Sequence, residues 1–265
     1  MRKIIVMTDL HLLEAGGRIG HLDPVERLTR GLAHVLENQP EAERIVLAGD
    51  LTHHGRPAQY ARLAEVLRGL PLPVHPMLGN HDRRAAFRAA FPDAPVTEEG
   101  FAQQVVDCGG DRLILLDTLD EEADPADSGW LCPARMAWLD RALASAEGRR
   151  ISVFTHHPPV PVGFEAMDRI ALRNRAELLD RLRAHGVAQI VAGHVHRTIS
   201  GSAGGIPLAV LKSTCHQAPM MGPGMDCHTS IDEPGAYGIL YLGPESVIVH
   251  SEDFDVPGRR ALRYT

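Results

Sequence analysis

Five short segments of this 265-residue chain place aspartate, asparagine or histidine directly after a run of aliphatic residues. They read Thr8-Asp9-Leu10-His11, Gly49-Asp50-Leu51-Thr52-His53-His54, Gly79-Asn80-His81-Asp82, His156-His157-Pro158-Pro159 and Gly193-His194-Val195-His196. They offer carboxylates, one amide oxygen and imidazoles, with no thiolate, a donor set that suits manganese, iron, cobalt or zinc. In D-x-H and H-x-H on an extended segment, alternate side chains point the same way, so both members can face one site. Asp50 has two carboxylate oxygens and can bridge two cations. The candidate ligands are Asp9, His11, Asp50, Asn80, one of the adjacent pair His156 and His157, His194 and His196. Seven ligands are too many for one tetrahedral zinc, so two cations fit better. A lone D-x-H or G-D is an ordinary turn signal; five such segments in succession, each closing an apolar run, are not.

The elements that must carry these groups follow from the pattern between them. Strands are expected at 3–7, 44–48, 74–78, 112–116, 151–155, 187–192, 208–211, 237–242 and 246–250, nearly all rich in Val, Ile and Leu. Between them the apolar spacing is helical. Asp23 is an N-cap followed by Pro24 and Glu26, with Val25, Leu28, Leu32, Val35 and Leu36 on one face. Further helices are expected at about 58–70, 133–146 and 173–185, the last stopped by Gly186. Alternation of strand and helix argues an α/β fold. In open α/β sheets the carboxyl ends of strands meet at one edge, which would gather the five segments. Residues 1–200 read as a catalytic core and 201–265 as a β-rich part of the same domain, with a loop that caps the site.

Composition narrows the function further. Hydrophobic residues make up 44% and charged residues 23%, the mix of a folded globular chain rather than a disordered one. Net charge is -7 and only Lys3 and Lys212 are lysines, so no basic stripe exists to hold a nucleic-acid duplex or an anionic membrane. An anionic substrate would have to be attracted by bound cations. The run from Arg2 to Val6 has strand length, not the ~18 apolar residues of a membrane span, and the expected location is the cytoplasm. Cys108, Cys132, Cys215 and Cys227 lie far apart and read as reduced thiols. Oligomeric state is left open, a homo-oligomer included.

The ordered set D-x-H, G-D, G-N-H-D, H-H-P-P and G-H-x-H, from Asp9 to His196, resembles the calcineurin-like metallophosphoesterase superfamily. The resemblance implies a four-layer α-β-β-α sandwich of two mixed sheets, with a binuclear metal centre at the strand ends. It implies that Asp9, His11, Asp50 and His196 hold one metal and Asp50, Asn80, His156 and His194 the other, favouring His156 over His157. The arginine that protein Ser/Thr phosphatases carry after the second strand is missing here. The compact length and Asn-His-Asp resemble the bacterial class III cyclic-nucleotide and glycerophosphodiester phosphodiesterases. Hydrolysis of a small phosphodiester by a metal-held hydroxide is therefore expected, with His81 and Asn80 as catalytic residues. His81 is the candidate to bind the phosphate or protonate the leaving group, and His216, in Ser213-Thr-Cys-His-Gln217, is a second substrate-side histidine. A phosphomonoesterase, a nuclease and a non-catalytic scaffold are the competing readings. His53, His54 and His157 are expected at the rim or behind the ligands, whereas His21, His34, His75, His185 and His250 lack a partner pattern. Met220, Met221 and Met225 are candidates for an apolar wall.

Overall fold

In a computed structural model, which describes residues 1–220, 222, 224 and 227–260, the strands form two mixed sheets. The first takes β1 (Arg2–Met7), β2 (Ala42–Ala48), β3 (Val74–Met77), β10 (Ala236–Leu242) and β11 (Val247–Asp253) in the order β11-β10-β1-β2-β3. The second takes β4 (Gln104–Cys108), β5 (Asp111–Leu115), β6 (Arg150–Thr155), β7 (Gln189–Ala192), β8 (Ile199–Ala203) and β9 (Ile206–Val210) in the order β4-β5-β6-β7-β9-β8. The strands that carry the candidate ligands, β1, β2, β3, β6 and β7, run parallel to their neighbours within this set. Their carboxyl ends therefore emerge on one side of each sheet.

Period-two alternation explains the layering. On β1, Ile5 and Met7 face the helices while Ile4 and Val6 face the other sheet; on β2, Ile45 and Leu47 face the helices and Val46 and Ala48 the other sheet. Both faces of these strands are covered, which is why they read as continuous aliphatic runs. Three apolar cores result. One lies between the first sheet and α1 (Pro24–Asn38) with α2 (Pro57–Leu67) and α3 (Arg84–Ala90), one lies between the sheets, and one packs the second sheet on α4 (Pro133–Ala144), α5 (Glu165–Arg169) and α6 (Arg175–Ala184). The order of layers is α-β-β-α, as the resemblance implies.

Asp23 caps α1, its side chain accepting from the backbone N–H groups of Val25 and Glu26. Helix α2 stops at Leu67, short of the expected 70, because Gly69 turns the chain at positive φ. Strands β4 and β8 and helices α3 and α5 are additions to the sequence reading. Both strands are sheet edges, and β8 (ISGSA) has only one fully buried side chain, so it shows no apolar period. Among the described residues no helix is long and apolar enough to cross a membrane.

Candidate metal centre

The five segments meet where the carboxyl ends of the two sheets face each other. Backbone bonds zip the first two together, Asp9 N–H donating to Gly49 O (3.0 Å) and His11 N–H to Asp50 O (2.9 Å), and Gly193 N–H donates to His156 O (3.0 Å). Asp9, His11, Asp50, His194 and His196 all sit at positive φ, between 46° and 71°. Outside glycine this region is sparsely populated, and it costs about 1–3 kcal/mol per residue when enforced. Here it turns each side chain back over the strand end. Gly79 provides the remaining clearance: a Cβ there would collide with the Asp50 carboxylate and stand 2.7 Å from His156 Nε2.

Two donor groups share one carboxylate. In the first, His196 Nε2 lies 3.2 Å from Asp9 Oδ1 and 3.1 Å from His11 Nε2, which is 3.6 Å from Asp50 Oδ2. In the second, His156 Nε2 lies 3.3 Å from Asp50 Oδ2 and 3.1 Å from Asn80 Oδ1, and His194 Nδ1 is 2.9 Å from Asn80 Oδ1. Cation–ligand bonds of about 2.0–2.2 Å set adjacent ligand atoms about 2.8 Å apart at right angles and about 3.6 Å apart at the tetrahedral angle. All six separations fall inside that window. The imidazole tautomers agree with it. His156 Nδ1–H donates to Ala48 O (3.0 Å) and His196 Nδ1–H to His216 O (2.9 Å), so an Nε2 lone pair of each faces carboxylate or amide oxygen. Lone pairs gathered face to face call for a cation between them, and the residues present fit one in each group.

Electrostatics describe what fills that role without metal. Burial opposes charge on Asp50, but His156 and His81 outweigh it and hold its carboxyl well below the ordinary range. Burial also opposes the charge on His156, yet Asp50 and Asp9 outweigh it and raise the ring to about 9. His11 and His194 go the other way, held neutral by burial and by neighbouring imidazoles.

Asp82 is the structural member of G-N-H-D. Its carboxylate accepts from Leu51 N (3.0 Å), Gly79 N (3.0 Å), Thr52 N (3.2 Å), Thr52 Oγ1 (3.1 Å) and Tyr60 OH (2.9 Å), binding the loops after β2 and β3 into one unit. Burial and the charge of Asp50 push it up to about 6 against those hydrogen bonds. His81 is half-buried; its N–H donates to Asp50 Oδ1 (2.9 Å) and its Nδ1–H to His53 O (2.9 Å). His216 is buried beside the first group, its ring centroid 4.6 Å from that of His196, because Ser213 Oγ accepts from the backbone N–H of both Cys215 and His216.

A family model described as calcineurin-like phosphoesterase matches residues 2–198. This chain belongs to the calcineurin-like phosphoesterases. It is 37% identical over 258 residues to a probable cyclic nucleotide phosphodiesterase of Rhodopseudomonas palustris, covering 97% of this chain and 94% of that one. It is 32% identical to a 3',5'-cyclic adenosine monophosphate phosphodiesterase of Pseudomonas aeruginosa (81% of this chain, 76% of that one). A glycerophosphodiester phosphodiesterase of Enterobacter lignolyticus is also 32% identical (76% and 70%). A dimetal phosphatase of Danio rerio shares the fold at a TM-score of 0.73 and 16% identity, over 95% of this chain and 96% of that one.

In this phosphoesterase the pair His156–His157 divides cleanly. Thr118 Oγ1 donates to His157 Nδ1 (2.7 Å) and His157 Nε2–H donates to Asp127 O (3.1 Å), so both its ring nitrogens are occupied away from the donor groups. His54 is exposed, and His53 touches His11. His21, His34 and His75 lie elsewhere, bonded to Asp232, Tyr237 and Gln104. The four cysteines are free thiols. A cleft of about 310 Å³ opens over the donor groups, and its apolar side includes Met167, Ile170 and Ala218. Of the methionines expected to form that wall, Met220 is exposed on the surface, and Met221 and Met225 lie outside the described residues. Asp127, which also lines the cleft, was missed: it sits in a loop with neither apolar period nor ligand motif, and only its left-handed backbone (φ 66°) marks it.

Proposed function

We propose that this phosphoesterase hydrolyses small phosphodiesters, 3',5'-cyclic nucleotides or glycerophosphodiesters, at a centre of two divalent cations. Asp9, His11, Asp50 and His196 would hold one and Asp50, Asn80, His156 and His194 the other. The observation that carries this reading is Asp50 Oδ2, which stands at ligand spacing from a histidine of each group. Manganese, iron, zinc or cobalt bound there would neutralise phosphoryl charge and lower the pKa of the attacking water.

The chain's own groups then have distinct tasks. Burial opposes charge on His81, but Asp50, the His53 carbonyl and Asp127 outweigh it and raise its pKa in the metal-free chain. Its Nδ1 is spent on His53 O, which leaves Nε2 for a phosphate oxygen or the leaving alkoxide. His216, kept neutral by burial and by His196 and held to about 2, can accept or donate one hydrogen bond beside the first group. Among the described residues lining the cleft none is arginine or lysine, while Asp127 adds a carboxylate. A dianionic monoester finds no guanidinium fork there, and a monoanionic diester needs less compensation. Met167 and Ile170 offer the organic substituent an apolar seat, and residues 227–230 line the cleft on the side of the C-terminal part, where we place the capping loop.

With manganese supplied, kcat/KM for an aryl phosphodiester is expected to exceed that for the matching monoester by at least about tenfold, ~1.4 kcal/mol of transition-state preference. His216→Ala should narrow that gap without changing metal content. A monoester preference in the unmutated enzyme would overturn the reading. The same assay with cyclic nucleotides and glycerophosphodiesters identifies the alcohol.

A further inference from the structure

We propose that His53 is a substrate-binding residue, donating from Nε2 to a phosphodiester oxygen, and that cation capture by His11 is what places its proton there. The proposal rests on the two-cation reading above. His11 Nε2 faces His196 Nε2 at 3.1 Å and Asp50 Oδ2 at 3.6 Å, so this is the nitrogen that would ligate. A ligating imidazole uses a lone pair, and a neutral ring then carries its one proton on the other nitrogen, Nδ1. His11 Nδ1 lies 3.1 Å from His53 Nδ1. Of two like nitrogens at that distance one donates and the other accepts. With His11 donating, His53 Nδ1 must be a bare acceptor, which excludes the imidazolium form and leaves the His53 proton on Nε2.

That N–H has somewhere to point. The His53 ring lines the cleft, stacked on His81 at 5.2 Å between centroids and 14° between planes, and its Nε2 has no hydrogen-bond partner among the described residues. No arginine or lysine is among the described lining residues, and among the imidazoles there His53 and His81 stand side by side, two N–H donors available to one phosphate. The competing arrangement is a third cation held by His11, His53 and His81, which also form a cluster of ligand atoms. It would require His11 to ligate through both nitrogens as an imidazolate while serving the first group, a deprotonation that the shared-proton arrangement avoids.

The test is histidine tautomer assignment by two-bond ¹⁵N–¹H correlation on the full chain loaded with zinc, the His53 signals identified by their loss in His53→Gln. The expected result is a neutral His53 protonated at Nε2, His11 protonated at Nδ1, and two zinc ions per chain. His53→Gln should keep both ions and raise KM for an aryl diester about 10- to 100-fold, the loss of one hydrogen bond to a charged group, with a smaller change in kcat. Two zinc ions with His53 protonated at Nδ1, or an unchanged KM in the variant, would overturn the His53 assignment alone. A third zinc lost in His53→Gln would replace it with the cation cluster. Failure of the unmutated chain to bind zinc would overturn the two-cation reading and this inference with it.

Discussion

Around Asp50 the donors divide: Asp9, His11 and His196 stand on one side, and Asn80, His156 and His194 on the other. The first side adds a second carboxylate, whereas the second adds a neutral amide and so has only the shared charge of Asp50. Their histidines also differ. His11 is held neutral by burial and by His81, ready to ligate, while His156 is held protonated to about 9, burial being outweighed by Asp50 and Asp9. A divalent cation therefore meets more negative charge and less proton competition in the first group than in the second. The difference teaches that two donor groups sharing one carboxylate need not be equivalent, and on the two-cation reading the first is expected to hold its cation more tightly than the second.

Removing Asn80 should break the comparison most severely. Asn80→Ala is expected to weaken the second cation by at least about 100-fold while the first stays bound, and to abolish turnover, as metal analysis alongside kinetics would show. His81→Ala should leave both cations in place and lower kcat by about 10²–10⁴, the range for a positioned proton donor; loss of metal would make His81 a structural support instead. Asn80→Asp sharpens the comparison by adding the missing charge, and metal titration should find the second affinity raised roughly tenfold toward the first. The smallest effect is in protons. Below about 9 His156 is protonated in the metal-free chain and must lose that proton to ligate, so cation uptake at pH 7 releases it and uptake above pH 9 does not. Calorimetry in buffers of different ionisation enthalpy measures this directly; an enthalpy independent of buffer at pH 7 would contradict it.

The layered fold and the place of the donor segments could be read in the sequence for one physical reason. Strands buried on both faces read as unbroken aliphatic runs, so Asp9, Asp50, Asn80, His156 and His194 stand out as interruptions. Edge strands give no such contrast, and β8, with Gly and Ser at its centre, was invisible. Which of His156 and His157 faces the donors was also beyond the residue pattern, because it depends on Thr118 and the Asp127 carbonyl holding the second ring from a distant loop. The contact of His53 with His11 was hidden similarly, since the left-handed backbone at His11 (φ 46°) sets where that ring points. Helix α5, five residues long, is too short to show a period, and with it went the apolar seat of Met167 and Ile170.

The two-cation centre depends on Asp50 serving both groups. Metal content of Asp50→Ala against the unmutated chain, after loading with manganese and removal of free ion, tests this most directly. Two cations per chain are expected for the unmutated protein, and depletion at both positions is expected for the variant, with activity abolished. Two cations retained in a folded Asp50→Ala, with near-normal turnover, would contradict the shared ligand and the centre built on it.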